Sequence, residues 1–143
     1  MQPIAIIADK FPTLVIPLLD SAEETIDIVV YDWRFYKNQP ANPVSLFNTA
    51  LSRAVKRGVV VRCLVSSDVV VDQLNKIGCR ARRLHSEKML HTKMLLIDSL
   101  KLVIGSHNYT QNAFSRNEEA SVFVNMASID NDFVKYYNNL YGV

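Results

Sequence analysis

Short apolar runs alternate with amphipathic segments over the first 84 residues, and this alternation restricts the fold more than any other feature of the chain. The runs are rich in β-branched and aromatic side chains, so each predicts a strand: residues 4–8, 25–33, 59–66 and 79–84. Helices are predicted between them at residues 12–24, 42–57 and 68–77. This βαβαβαβ order predicts an α/β fold with a mixed, largely parallel β-sheet flanked by helices.

The composition indicates a globular domain but does not indicate an activity. The 143 residues suit a single domain spanning residues 1–143, and an apolar fraction of 49% allows a full core. A net charge of +2 does not by itself indicate a nucleic-acid binder. Cys63 and Cys79 lack the spacing of metal ligands, so we expect two reduced thiols in or near the core. The first apolar run stops at Asp9, too early for a signal peptide or a membrane span, which predicts a cytoplasmic protein.

The pattern changes after His85, where two adjacent strands are predicted at Leu90–Ile97 and Lys101–Gly105. The short polar segment between them predicts a tight turn and therefore a hairpin. Because alternate side chains of a strand share a face, we expect His91 and Lys93 to lie side by side, about 7 Å apart at the backbone.

Ser106 and Asn108 follow the second predicted strand, and a hairpin would bring them near His91 and Lys93. Lysine supplies a positive charge with three donors, and serine and asparagine add neutral donors. Histidine titrates near neutral pH and can therefore act as a nucleophile or as an acid. These four side chains together suit a phosphate group.

The spacing of this stretch resembles the HKD motif of the phospholipase D superfamily, together with the Asn-x-Glu element that follows the motif in that family. The matching residues are His91-x-Lys93, Asp98, Gly105-Ser106-x-Asn108 and Asn117-x-Glu119. A bare His-x-Lys would carry no information, whereas agreement over all of these positions is specific. The resemblance extends upstream through the βαβ pattern, and it implies a phospholipase D-like fold.

The resemblance also implies a mechanism. In that family two HKD motifs meet at one site, one histidine forms a phosphohistidine, and the other protonates the leaving oxygen. No metal ion or other cofactor is required. By this likeness His91 is the nucleophile or the acid, Lys93, Ser106 and Asn108 bind phosphate, and Glu119 orients His91.

Asp98 is the aspartate of the motif, yet strand parity places it on the face opposite His91. Asp98 also starts a turn, where aspartate favours hydrogen bonds to the local backbone. These two arguments favour a structural role over a role in the reaction.

The sequence holds one such motif and no internal repeat, so the family's mechanism would need a second His91 from another chain. A twofold homodimer provides this, because an isologous interface brings the same patch to itself. In this respect the chain resembles the Nuc-type and Zucchini-type nucleases.

Two weaker signals have several interpretations. Trp33, Arg34 and Phe35 combine aromatic and positive side chains at a strand end, which fits nucleobase stacking, core packing or a dimer contact. Arg80 and Arg82 could contact a phosphate backbone or could belong to a solvated strand face.

We therefore expect a metal-independent phosphodiesterase, most simply an endonuclease that binds DNA or RNA. The alternatives are a phospholipid phosphodiesterase or phosphatidyl transferase, and a nucleic-acid-binding module without turnover. No basic amphipathic helix is evident, so we do not expect stable membrane association.

Overall fold

The computed structural model describes residues 2–142, which form a sheet covered by helices on both faces. The strands within this part of the chain are β1 (Ile4–Ile7), β2 (Thr25–Val29), β3 (Val60–Val65), β4 (Arg80–Arg83), β5 (Met94–Ile97), β6 (Lys101–Gly105) and β7 (Ala120–Asn125). The helices are α1 (Phe11–Asp20), α2 (Pro43–Lys56), α3 (Asp68–Lys76), α4 (Gln111–Ser115) and α5 (Asp132–Tyr141), with a 3₁₀ turn at Ala8–Lys10.

Helix α2 shows how local chemistry sets these boundaries. The side chain of Asn42 accepts a hydrogen bond from the Val44 N–H, and Pro43 occupies the first turn, where its missing N–H costs nothing. After the helix, Gly58 adopts a φ of 96°, which suits glycine because it has no Cβ. The predicted start and end of this helix are therefore confirmed.

The sheet is mixed, as expected, but it is not largely parallel. Its strand order is β1-β7-β6-β5-β2-β3-β4. Only β2–β3 and β3–β4 pair in parallel, whereas the other four pairs in this described sheet are antiparallel. The β5–β6 hairpin and β7 lie between β1 and β2. A tight turn joins β5 to β6, so this antiparallel pair needs no crossover helix.

Two apolar layers enclose the sheet. The larger layer lies beneath α1, α2, α3 and α4, and it is centred on side chains such as Phe11, Phe47 and Tyr109. The smaller layer lies beneath α5, where Tyr137 packs against Met94 and Leu96. The expected thiols, Cys63 and Cys79, are free and buried in the larger layer.

A buried ion pair anchors α5 to the sheet. Arg62 bonds the nearly inaccessible carboxylate of Asp27 at 2.7 and 3.0 Å and also donates to Asn138 at 3.0 Å. Its guanidinium lies over the rings of Tyr137 and Tyr141, about 5 Å from each centroid. Strand β3 and α5 are thus joined by charge as well as by apolar contact.

Candidate active site

Four of the motif residues meet at one edge of the sheet because of strand direction. Strand β2 runs antiparallel to β5, and β5 runs antiparallel to β6. The carboxyl ends of β2 and β6 therefore lie beside the amino end of β5. His91 and Lys93 immediately precede β5, and Ser106 and Asn108 immediately follow β6. Carboxyl ends of strands are common positions for ligand sites in α/β folds.

His91 and Lys93 lie outside the ladder, which corrects the predicted strand Leu90–Ile97. Strand β5 starts at Met94, which pairs with Val29 on one side and Ile104 on the other. The residues before Met94 lie outside the strand, although the Gly105 N–H still bonds the Lys93 carbonyl oxygen at 3.4 Å.

The two side chains nevertheless contact each other. Lys93 Nζ lies 3.1 Å from Nδ1 and 3.3 Å from Nε2 of His91, and it donates to the His91 carbonyl oxygen at 3.0 Å. The two distances are nearly equal, so the ammonium lies close to both ring nitrogens. The His91 ring is exposed and can therefore be reached by a substrate.

Lys93 is less accessible than His91. Partial burial lowers the pKa of its ammonium, while the negative charge of Glu119 acts in the opposite direction. The balance is a lowered pKa. A partly desolvated ammonium interacts more strongly with an arriving anion than a fully hydrated one does.

Asn108 has a defined orientation. Its Oδ1 accepts a hydrogen bond from the Asp32 backbone N–H at 3.0 Å, which ties the end of β6 to the segment that follows β2. Because the oxygen is engaged, the amide NH₂ is the end that can donate to a phosphate oxygen.

Ser106 and Glu119 form a pair with each other. Ser106 Oγ donates to Glu119 Oε1 at 2.6 Å and accepts from the Ala120 N–H at 3.0 Å. Asn117 Nδ2 donates to the second oxygen of Glu119 at 3.0 Å. Phosphate binding by Ser106 would therefore compete with its bond to the carboxylate.

The expected contact between Glu119 and His91 is not formed within one chain. Among residues 2–142, the hydrogen bonds of the Glu119 carboxylate go to Ser106 and Asn117. Glu119 instead acts at a distance through its charge on Lys93.

Asp98 lies in the β5–β6 turn, at the opposite edge of the sheet from His91. Its carboxylate accepts from the backbone N–H groups of Glu23, Glu24 and Thr25 at 2.7–3.2 Å. These contacts agree with the structural role that the turn suggested, because they hold the start of β2 against the hairpin.

Base stacking on Trp33 is ruled out by its burial. Its side chain is only 2% exposed, and its Nε1–H donates to Asn48 at 2.8 Å. Phe35 is half-buried and stacks on Trp33, so core packing accounts for it as well. Arg34 is exposed and forms an ion pair with Asp32 at 2.9 Å.

Arg80 and Arg82 lie on β4, the last strand in the sheet order, which is separated from β5 by β2 and β3. At about 4.8 Å per strand, this is roughly 14 Å from the start of β5. Arg82 donates to the Tyr141 carbonyl oxygen at 2.6 Å and lies over the Tyr141 ring. These contacts within the chain account for the position of Arg82 without a phosphate. The side chain of Arg80 is exposed.

His107 is a core residue, although it lies within the motif. It is 1% exposed, packs on the Phe11 ring, and bonds Ser121 Oγ at 2.7 Å and the Ala8 carbonyl oxygen at 2.8 Å. Because a carbonyl only accepts, Nε2 carries the proton and Nδ1 accepts from Ser121. His107 therefore supports the loop rather than taking part in the chemistry.

Two further residues contribute to the surroundings of His91. The Tyr31 ring lies 5.6 Å from the His91 ring, centroid to centroid. Thr92 Oγ1 lies 2.7 Å from the Tyr136 hydroxyl, which joins the motif segment to α5. The position of Tyr31 after an apolar strand was a usable signal, but the contact between Thr92 and Tyr136 depends on how α5 docks.

The described residues provide neither a metal-binding cluster nor a membrane-spanning helix. Residues 2–142 contain no group of three or more His, Cys, Asp or Glu side chains arranged to hold a metal ion. None of the helices in that range has the length and apolarity needed to cross a membrane.

Comparison with known proteins places the chain in a family. The family described as "Cardiolipin synthase, PLD-like domain" matches residues 15–141. A mitochondrial cardiolipin hydrolase from Danio rerio is 36% identical over 86 residues, which cover 52% of this chain and 38% of that protein. A phospholipase D from Rickettsia conorii is 27% identical over 127 residues, covering 85% and 59%. The chain thus spans less than two thirds of either relative.

Among solved structures, the phospholipase D family member Nuc from Salmonella typhimurium superposes with a TM-score of 0.81 at 21% identity. The match covers 98% of this chain and 95% of Nuc, so the whole sheet and its helices share that fold. The chain belongs to the phospholipase D superfamily of phosphodiesterases, and its fold is that of Nuc.

Proposed function

We propose that this protein is a nuclease that hydrolyses phosphodiester bonds of DNA or RNA without a metal ion. The observation that carries the proposal is the exposed His91 ring with the Lys93 ammonium within 3.3 Å of both ring nitrogens. The ring offers a nucleophile, and the ammonium and the Asn108 amide offer donors for the non-bridging oxygens of a phosphate.

The proposed reaction has two steps. A ring nitrogen of His91 attacks phosphorus, the bond to the leaving oxygen breaks, and that oxygen takes a proton from a second imidazole. Water then attacks the phosphohistidine, gives its proton to the second imidazole, and releases His91. Positioned donors at the phosphoryl oxygens stabilise the charge that develops at each step.

The second imidazole would come from His91 of another copy of the chain. Of the three histidines, only His91 has a lysine two residues later, and His107 is buried in the core. A homodimer with an isologous interface at this sheet edge would place two exposed His91 rings across one phosphate. Any contact between Glu119 and His91 would then cross the interface between the two copies.

Cleavage assays in EDTA test the proposal. We expect the wild-type protein to cut plasmid DNA, single-stranded DNA or RNA, and we expect His91→Ala to reduce cleavage by at least 10³-fold. His85→Ala is the matched control, since His85 is also exposed and lies six residues upstream. Cleavage that survives His91→Ala would contradict the assignment, and binding without cleavage by the wild type would favour a silent module.

Sedimentation equilibrium tests the shared site. The chain has a mass of 16.2 kDa, and the proposal requires a species of twice that mass under assay conditions. An active monomer would rule out a second His91 as the acid.

A lipid phosphodiesterase is the second candidate, and two observations favour it. The curated relatives are named for phospholipase D and cardiolipin hydrolase activities. Met89, two residues before His91, is 72% exposed and could enter a lipid surface. Choline release from phosphatidylcholine vesicles, or hydrolysis of cardiolipin, without nucleic-acid cleavage would favour this candidate over the nuclease.

A further inference from the structure

An aromatic ring borders the reactive histidine on the side of β2. Tyr31 follows the end of β2, and its side chain is 39% exposed. Its ring lies 5.6 Å from the His91 ring at an interplanar angle of 38°. A substrate phosphate at His91 would therefore have an aromatic surface beside it.

The backbone around Tyr31 is held on both sides. Ser66 Oγ donates to the Tyr31 carbonyl oxygen at 2.6 Å, which ties it to the end of β3. The next residue, Asp32, donates its N–H to Asn108 Oδ1 at 3.0 Å. Tyr31 is thus attached to the same loop that carries the motif asparagine, and its position relative to His91 is set before a substrate arrives.

Tyr31 also lines a cavity of about 410 Å³. Polar side chains line much of it, including Asp32, Arg34, Ser66 and Ser67, and most of the remaining lining consists of valine and aromatic side chains. Asp32 and Arg34 form an ion pair at 2.9 Å, so the lining offers both donors and acceptors with little net charge.

This chemistry discriminates between possible occupants. A nucleobase and its sugar present both donors and acceptors, which match such a lining. A second phosphate would meet the Asp32 carboxylate, and an acyl chain would bury the polar groups without partners. An aromatic wall with a mixed polar lining therefore suits a nucleoside.

We propose that Tyr31 and this cavity form a subsite for the nucleoside attached to the scissile phosphate, with the base stacked on the Tyr31 ring. The inference rests on the proposed nuclease function. It adds a specificity element to that site. Any base can stack on an aromatic ring, so the subsite would select substrates that carry a base without distinguishing one base from another.

Two small substrates separate this role from catalysis. Thymidine 5′-(4-nitrophenyl phosphate) and methyl 4-nitrophenyl phosphate share a leaving group and differ in whether a nucleoside is present. We expect Tyr31→Leu to lower kcat/KM for the nucleoside ester by about tenfold or more, the magnitude of one lost base stack, and to change the methyl ester less than about twofold. The 3′-linked thymidine ester, measured in parallel, identifies the side of the phosphate that the subsite serves.

The controls address folding and the hydroxyl group. Tyr31→Phe keeps the ring and should retain wild-type selectivity. Phe133→Leu removes an aromatic side chain of similar exposure near the start of α5, at the opposite sheet edge, where Asn131 bonds Ser99. It should affect neither substrate.

The outcomes are distinguishable. An equal loss on both esters would mean that Tyr31 only positions His91, and no loss on either would mean that the cavity is unused; each result overturns the subsite and leaves the nuclease intact. A wild-type protein that cleaves no nucleic acid and neither thymidine ester overturns the proposed function itself.

Discussion

Gly105 lies directly against the backbone of Ser121, on the neighbouring strand β7. A Cβ at Gly105 would lie 2.5 Å from the Ala120 carbonyl oxygen and closer still to Cα and Oγ of Ser121. Ser121 Oγ also bonds His107, so this contact reaches the core beneath the motif loop. The glycine of the motif is thus explained by strand packing.

We expect Gly105→Ala to reduce the free energy of unfolding by about 3 kcal/mol, because β6 and β7 must separate locally to admit the methyl group. Urea denaturation measures this change. Gly58→Ala is the matched control, since Gly58 has a φ of 96° but open space around it, and backbone strain alone should cost about 1 kcal/mol. Equal losses for the two variants would refute the packing explanation.

Lys93→Met should abolish most activity without loss of stability. Removing one positioned donor from a developing negative charge costs about 10²–10³-fold in kcat. The ammonium is partly desolvated, so its replacement by an apolar chain should change the free energy of unfolding by no more than about 0.5 kcal/mol. Steady-state kinetics on an oligonucleotide, together with a urea melt, check both parts; a destabilised but active variant would contradict them.

Asp98→Ala should reduce stability while leaving the activity of the folded protein nearly unchanged, which is the opposite of the effect expected for Lys93→Met. Three backbone N–H groups would lose a charged acceptor, at a cost of about 2 kcal/mol, while the reaction site is at the other sheet edge. Activity normalised to the folded fraction should stay within about twofold of wild type. A large loss of normalised activity would show that Asp98 takes part in the reaction.

The pH dependence of the free energy of unfolding gives an independent check on the structural role of Asp98. Burial acts to raise the pKa of Asp98, but the backbone donors of Glu24, Thr25 and Glu23, with Lys101, outweigh it, and the pKa is lowered. The folded state then binds fewer protons than the unfolded state, so this stabilisation is complete above about pH 4 and is lost as pH falls through the folded pKa. Asp98→Asn should flatten the acid limb of a plot of unfolding free energy against pH.

His107 should add a second pH-dependent contribution, at higher pH. Burial lowers its pKa, against smaller opposing effects from the Ala8 carbonyl and the charge of Glu119. The unfolded state therefore takes up a proton first, and stability should decline as pH falls below about 6.5. Denaturation of His107→Phe between pH 5 and pH 8 should lack this slope, whereas a His85→Gln control should keep it. An unchanged slope in His107→Phe would indicate that His107 is not the titrating group.

The sequence by itself determined the order and the approximate bounds of the strands and helices, and it contained the motif. Periodicity and capping residues are local properties of the chain, which is why α2 starts after Asn42 and ends before Gly58 as predicted. The spacing around His91 and Lys93 was likewise sufficient to indicate the phospholipase D superfamily. These features require no knowledge of which strands become neighbours.

Tertiary structure decided the pairings and the roles that depend on them. An apolar run identifies a strand but not its partner, so the placement of β1 beside β7 could not be read from it. Burial distinguished Trp33, which packs in the core, from Tyr31, two residues earlier, which reaches His91. The carboxylate of Glu119 accepts a hydrogen bond from Ser106 and does not contact His91, because β6 and β7 are adjacent. Residues far apart in sequence meet only through such packing.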